Sequence, residues 1–440
     1  MRRFAWLLPS LAIVALAACG GDGIGPPRVE PPAAPAANDP AFTVGGVTRW
    51  NLIGNPLTPG QDTLAIDIAA PQGTEVVDAW VAGGPGQRLT AGADGHFTGD
   101  LDIGALGPGE HELLFAADGD RTAFARATFL RTHPLYFLMS TDWDFPDPGA
   151  NALDVHDRLR ADHPNVRYTM FVGPYTFTDP DITEARRAEI VTWLTDHRDQ
   201  QHDELGLHIH PWCNFVVAAG LTCITDQSTV YQTDTTGYTI KLEAYGEAGL
   251  ETLLDKAREI FDERGLGKPI TFRAGGWTAS IDNLKALAAK EFVADTSALN
   301  WPYIEEWTRP SVTELWTWNM TNWSQINDTS QPYYPNVVDK QSGAAPNLPI
   351  LEVPDNGVMV DYVTVDEMKS ILAANWDGAT PLAKPTTFMM GFHPSQQFSL
   401  DEEHRLDGIL DHADQFQAAN HAGPIVYEVL KDLPAVWPQP

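Results

Sequence analysis

Basic side chains are scarce in this chain of 440 residues: 28 Lys and Arg stand against 59 Asp and Glu, for a formal charge of −31. A surface of that sign is solubilising and repels nucleic-acid phosphates and anionic lipid, so no nucleic-acid partner is expected. Cysteine is scarcer still, with Cys19, Cys213 and Cys223 making up the whole set. The apolar run at the N-terminus is too short for a comfortable membrane span. What is present is globular composition, 43% hydrophobic and 20% charged, over a length typical of two or three domains. A core of enzyme size is therefore expected.

Residues 1–18, MRRFAWLLPSLAIVALAA, place two arginines before that apolar run and small residues after it, the pattern of a secretory signal peptide. Its removal leaves the mature chain at about −33. The segment runs into L-A-A-C, residues 16–19, which resembles the bacterial lipobox. That resemblance implies cleavage before Cys19 and diacylglycerol on its sulfur; an ordinary signal peptide with an incidental cysteine is the alternative. Residues 19–40 are rich in Pro and Ala, a composition that suits a tether and builds no core. With no Asp directly after Cys19, the lipobox resemblance implies the outer membrane of a Gram-negative cell, reached through the lipid anchor alone. In an exported chain, Cys213 and Cys223 are expected to form a disulfide rather than a metal pair.

Residues 41–132 show short alternating runs such as TLAIDIAA, EVVDAWVA and HELLFAA, with G-P-G at 84–86 and 107–109 and no convincing helix. That grammar predicts a small antiparallel sandwich of immunoglobulin-like type, a spacer or binding module, although the Cys-Trp-Cys core signature is missing. From 133 to 440 strands alternate with helices. LYFLM ending in S-T-D-W-D, VRYTMFV, ELGLHIH, PITFR, FVADTS, PILEVP, TTFMMGF and PIVYEVL read as the strands. The helix after VRYTMFV is opened by Asp181 with Glu184 as a box-like partner, and a later long helix is stopped by Gly265. Thr364 with Glu367, and Ser399 with Glu402, have the form of capping boxes. The alternation predicts an α/β domain built as a parallel (β/α) barrel, distorted or seven-stranded. Residues 300–335 break the rhythm with Trp301, Trp307, Trp316, Trp318, Trp323, Tyr333 and Tyr334. An insertion that long and aromatic is read as functional, with stacking on a sugar weighed against ordinary packing.

In a parallel α/β domain the site lies at the carboxyl ends of the strands. Reading only those ends collects Asp142 and Asp144, His208 and His210, Arg273 followed by Gly275, Gly276 and Trp277, then Asp295, and last His393. Side chains alternate along a strand, so Leu205, Leu207 and Ile209 share one layer while Gly206, His208 and His210 share the other face. Both imidazoles can then approach one ion. A carboxylate with two imidazoles makes an open site for one divalent metal, a Lewis acid such as Zn2+.

These motifs, in this order, resemble those of the polysaccharide deacetylase family, carbohydrate esterase family 4, over residues 134–440. TDWD is similar to the first motif, ELGLHIHPW to the second, FRAGGW to the third, VADTS to the fourth and GFHPS to the last. By that resemblance Asp142 is the general base, Asp144 the metal carboxylate, His208 the first metal histidine, Arg273 the group orienting the base, and His393 the general acid. Trp277, Trp212 and Asp295 are the residues expected against the substrate, an acetylated polysaccharide. The chain departs from the family at Trp212, where the second metal histidine is usual, which leaves His210 to take that role or the site altered. The fourth motif is also loose, and Asp355 or Asp361 could serve in place of Asp295. Two other readings are kept: a glycan-binding surface lipoprotein on a degenerate deacetylase scaffold, and an amidohydrolase-type barrel, in which H-x-H normally ends the first strand.

Overall fold

The computed structural model describes residues 28–231, 234–307 and 313–439. The signal peptide, Cys19 and the first part of the tether lie outside the described residues, as does the side chain of Trp307. No helix among the described residues is long and apolar enough to cross a membrane.

The chain divides into two compact units. The first comprises Met1–Gly46, Ala65–Leu101 and Glu112–Ala127, and among its described residues it is all β. Strand Thr63–Ala69 alternates buried Leu64, Ile66 and Ile68 with outward residues, and Thr43–Gly45 pairs with it antiparallel. Val77–Val81 likewise runs antiparallel to Gly109–Ala117 and to Gln87–Arg88.

The second unit takes Val47–Leu64, Asp102–His111 and Thr128–Pro440. Residues 47–64 therefore fold with the α/β part, and buried side chains explain why. Arg131, fully buried, donates to the carbonyls of Leu52 and Gln61 and to Asp62 Oδ1 at 2.6 Å. The Tyr136 phenol meets Asn55 and Thr58, and Trp50 packs edge-on against Trp376 at 5.7 Å. No period-two pattern announces such contacts.

The α/β part alternates β1 (Leu135–Asp142), α1 (Ala150–Asp162), β2 (Tyr168–Val172), α2 (Glu184–Gln200), β3 (Glu204–Ile209), α3 (Cys213–Ala218), α4 (Gly246–Glu263), β4 (Thr271–Ala274), α5 (Ile281–Ala289), β5 (Ala294–Asp295), α6 (Thr313–Asn322), β6 (Leu351–Glu352), β7 (Val358–Met359), α7 (Val365–Asn375), β8 (Thr386–Phe392), α8 (Leu400–Asp414) and β9 (Ile425–Glu428). All the strands are parallel, in the order β6-β5-β4-β3-β2-β1-β8-β7. One edge of β1 is shared, β9 pairing residues 135–138 and β2 pairing 139–142. Strands β1 and β8 are buried along their whole length, as parallel strands covered on both faces should be.

Geometry forces this sheet to curl. Laid flat, eight strands about 4.8 Å apart would hold their outermost members roughly 34 Å from one another. Yet β6 and β7 are those outermost strands, and only residues 353–357 separate them in sequence. Six Cα steps reach at most about 22 Å, so the two edges must face each other. No ladder joins them among the described residues, and only that short link bridges the two edges. The expected barrel is thus an open, eight-strand path with a ninth strand at β1.

Local signals mostly hold. The boxes Thr364–Glu367 and Ser399–Glu402 both form, each with its reciprocal pair of hydrogen bonds. The start of α2 is a correction: Thr183, not Asp181, is its N-cap, accepting from Arg186 N. Thr183 adjoins the first helical turn directly, which Asp181 does not. Cys213 and Cys223 are disulfide-bonded. The aromatic insertion is chiefly packing. Trp323 is fully buried with Nε1 donating to Trp277 O, Trp318 Nε1 donates to Glu243, and the Lys340 ammonium lies 3.7 Å from the Trp323 ring centre.

Candidate metal centre and catalytic cavity

Two strands set the floor of the site. On β1, Ser140 and Asp142 share a face, and the Arg273 guanidinium on β4 reaches both, donating from Nη1 to Ser140 Oγ at 2.9 Å and to Asp142 Oδ1 at 3.0 Å. Arg273 is fully buried, with Nε on Thr296 O and Nη2 on Thr296 Oγ1. On its far side Asp355 Oδ2 lies at 3.5 Å and also accepts from Trp277 Nε1 at 3.1 Å. Burial pushes the Asp355 carboxyl up, Arg273 pulls it down and Asp142 pushes it up again, leaving it at about 6.

His208 is in register with Arg273, and its Nδ1–H donates to the Arg273 carbonyl at 2.9 Å. His210, one residue past the strand, donates its Nδ1–H to the Tyr238 carbonyl at 2.8 Å. A carbonyl only accepts, so both Nδ1 atoms carry a proton, and a neutral ring at either position would turn its Nε2 lone pair inward. Those two Nε2 atoms converge on Asp144 Oδ1, at 3.1 Å from His208 and 3.2 Å from His210. The His210 contact is not aligned as a hydrogen bond, and its buried Nε2 has no other partner. Neutral rings in these places would aim two lone pairs at one carboxylate oxygen, an arrangement that a cation among them relieves. Donors bound to one ion at about 2.0–2.2 Å stand roughly 3.0–3.6 Å apart, so the donor set fits a divalent metal. Asp144, His208 and His210 are also the group whose ligand atoms all lie within 4.8 Å of one another.

Gly275 is what lets His210 stand there. A Cβ on it would lie 2.6 Å from His210 Cγ and Nδ1. Next to it, Gly276 has a φ of +59° and carries the chain past the Tyr231 ring. Asp144 is held from outside the trio too, with Trp212 Nε1 donating to its carbonyl at 3.0 Å and Tyr238 OH to its Oδ2 at 2.7 Å. Burial pushes the Asp144 carboxyl up, but His210, His393 and His208 outweigh it and hold it well below the usual range.

His393, just past β8, faces Asp144 across the cavity with Nε2 4.0 Å from Oδ1, while its Nδ1 lies 2.8 Å from Asp361 Oδ2. Burial lowers its pKa, but Asp361 and then Asp144 raise it more, to about 10, so the ring is charged at neutral pH. Asp142, Asp144, His210, His393, Trp277 and Gly276 line a cavity of about 60 Å³ together with Tyr231, Tyr238, Leu315 and Tyr362. At about 10–15 Å³ per water that is room for a few waters or a small acyl group. Burial, with Asp144 charge second, pushes Tyr231 and Tyr238 well above their usual range and keeps them phenols.

The structure thus brings Asp142, Asp144, His208, His210, Arg273, Trp277 and His393 together. It does not bring Asp295 to the cavity. That carboxyl is fully buried against Ser297 and Glu352, both acids raised by burial, and Asp361 is the carboxylate on His393. Trp212 is also not in the cavity wall: it packs on Tyr238 at 5.1 Å and lines a neighbouring groove with Phe145. Tyr231 and Tyr238 escaped the sequence reading because residues 221–240 follow no period of strand or helix.

No protein-family model and no curated protein matches the chain. Solved structures do. Among its structural neighbours are polysaccharide deacetylases of carbohydrate esterase family 4. A Mycobacterium smegmatis protein named provisionally as a polysaccharide deacetylase aligns at 13% identity and TM-score 0.40, over 67% of this chain and 87% of its own. The family 4 carbohydrate esterase of Streptomyces lividans, solved with acetate, aligns at 9% identity and TM-score 0.34, over 69% of this chain and 96% of its own. A mutant of a family 4 pseudoenzyme aligns at 8% identity and TM-score 0.32, over 86% of this chain and 89% of its own. With TM-scores below 0.5, the functional reading rests on the site's own atoms.

Proposed function

We propose that this protein is a metal-dependent deacetylase that hydrolyses acetyl groups of a polysaccharide, held to the cell envelope by lipid on Cys19. The convergence of His208 Nε2, His210 Nε2 and Asp144 Oδ1 beside a cavity lined by Asp142, Asp144, His210 and a charged His393 carries the reading. When bound there, a divalent ion supplies Lewis acidity to an acetyl carbonyl and to water, whose pKa it lowers from 15.7 toward about 7.

The chain supplies the proton traffic. Asp142, oriented by Arg273, takes a proton from the attacking water as the oxygen–carbon bond forms. His393 gives its proton to the departing nitrogen or oxygen as the bond to the acetyl carbon breaks. The small cavity admits an acetyl group and leaves the rest of the sugar outside. Acetate release from chitooligosaccharide, peptidoglycan and acetylated xylan is the test. Release from at least one substrate is expected, abolished by chelator and restored by added zinc. Glycan binding with no release from any of them would select the non-catalytic reading instead, and full activity in Asp144→Ala would remove the ligand assignment.

The His393–Asp361 pair makes a prediction about pH. Asp361 is the leading attraction on His393 and keeps the ring a proton donor to higher pH than an ordinary histidine. Asp361→Asn removes the leading attraction, so the alkaline limb of kcat/KM is expected to move down by about 1–3 pH units. A pH–rate profile unchanged in the variant would assign the proton donor elsewhere.

A further inference from the structure

Where a second metal histidine was expected the chain has Trp212, and His210 stands in from a position past the end of β3. A ligand beyond its strand needs something else to hold it, and one residue meets that need twice. The Tyr238 carbonyl takes the Nδ1–H of His210 at 2.8 Å, and the Tyr238 phenol donates to Asp144 Oδ2 at 2.7 Å. Its ring lies 4.4 Å from that of His210 and 5.1 Å from that of Trp212.

Tyr238 is itself fixed. Cys213 N–H donates to Thr236 O at 2.8 Å. Gly237, at φ +91°, sits so close that a Cβ would lie 2.4 Å from Pro211 O. Asp234 accepts from the backbone N–H groups of Thr236 and Thr239. The turn carrying Tyr238 is therefore bound to the segment that follows β3, and the Cys213–Cys223 bond fastens the same segment.

We propose that Tyr238 is a positioning residue of the metal centre: its carbonyl sets the tautomer of His210, and its phenol occupies Asp144 Oδ2 so that this carboxylate offers one oxygen. With Oδ2 taken, three protein donors face the cavity and the remaining positions stay open for water and substrate. This rests on the metal-binding half of the proposed function and not on the deacetylation.

Zinc affinity of the full chain, measured by competition with a chromophoric chelator, tests it. Tyr238→Phe keeps the ring and the carbonyl and removes the hydroxyl; affinity is expected to fall by about 10- to 100-fold. The melting temperature of the metal-free protein should not move. With Co2+ in place of zinc, the variant should show weaker visible absorption, because Asp144 can then bind through both oxygens. Tyr238→Leu should lose no more affinity than Tyr238→Phe. Wild-type affinity and spectrum in Tyr238→Phe, or a loss confined to Tyr238→Leu, would overturn the proposal. A wild-type protein that binds neither ion would overturn the metal reading itself, a different result.

Discussion

Gly275→Ala is expected to lower kcat/KM by at least about 100-fold while leaving the protein folded. The added methyl would stand 2.6 Å from the His210 ring, closer than carbon atoms approach. That ring also packs on Tyr238 at 4.4 Å and is tied by its Nδ1 to the Tyr238 carbonyl, so the imidazole cannot slide away without losing that bond and its aim at Asp144. A misplacement of about 1 Å in a catalytic array costs on the order of 100-fold. Metal affinity should fall with it, by about 10- to 100-fold. The backbone tolerates alanine, since Gly275 lies outside the left-handed region that Gly276 occupies. Isothermal metal titration beside acetate-release kinetics would check both effects. Full metal binding in this variant would mean that His210 is not a ligand.

Arg273→Ala carries the largest expected loss of stability, about 3–5 kcal/mol, the usual result of removing one partner from a buried ion pair. Its guanidinium is fully buried between Asp142 and Asp355. Truncation leaves two carboxylates without their cation and a void beneath the Phe171 ring, over which the guanidinium lies at 5.0 Å. The deficit should also depend on pH. Asp355, raised to about 6, binds its proton in the folded chain while the unfolded chain releases it near about 3.9, so stability is lost as pH rises through that interval. Without Arg273 the carboxyl moves higher, and the loss continues above pH 6 in the variant after it has ended in the wild type. Urea unfolding at pH 5.5 and pH 8 should show a larger difference at pH 8. An equal difference at both would mean that Asp355 does not answer to Arg273.

What the sequence disclosed, and what it withheld, follows from the range of each interaction. Strand ends and period-two alternation are local, so Asp142, Asp144, His208 and Arg273 could be placed by counting along β1, β3 and β4. The capping boxes at Thr364 and Ser399 are local too. Choosing among Asp295, Asp355 and Asp361 was not possible, because each lies at or just past a strand end and only the curl of the sheet decides which one meets His393. The adjacent glycines of FRAGGW were visible as a motif, but the reason for Gly275 lies in a ring 65 positions earlier in the chain. Tyr238 had no signal at all in a polar stretch, and of the tryptophans of residues 300–335, weighed between a sugar platform and packing, Trp323 and Trp318 spend their indole N–H groups on Trp277 and Glu243.

The short link at residues 353–357 has a consequence for what this scaffold can tolerate. Every other connection between successive strands of the ring is at least about 19 residues long and includes a helix or a loop. This one both spans the seam and carries Asp355. A single inserted residue there would widen the gap between β6 and β7 and swing Asp355 off Arg273 in the same stroke. The link is therefore the connection whose length is doubly fixed, by the size of the ring and by the Arg273–Asp355 pair.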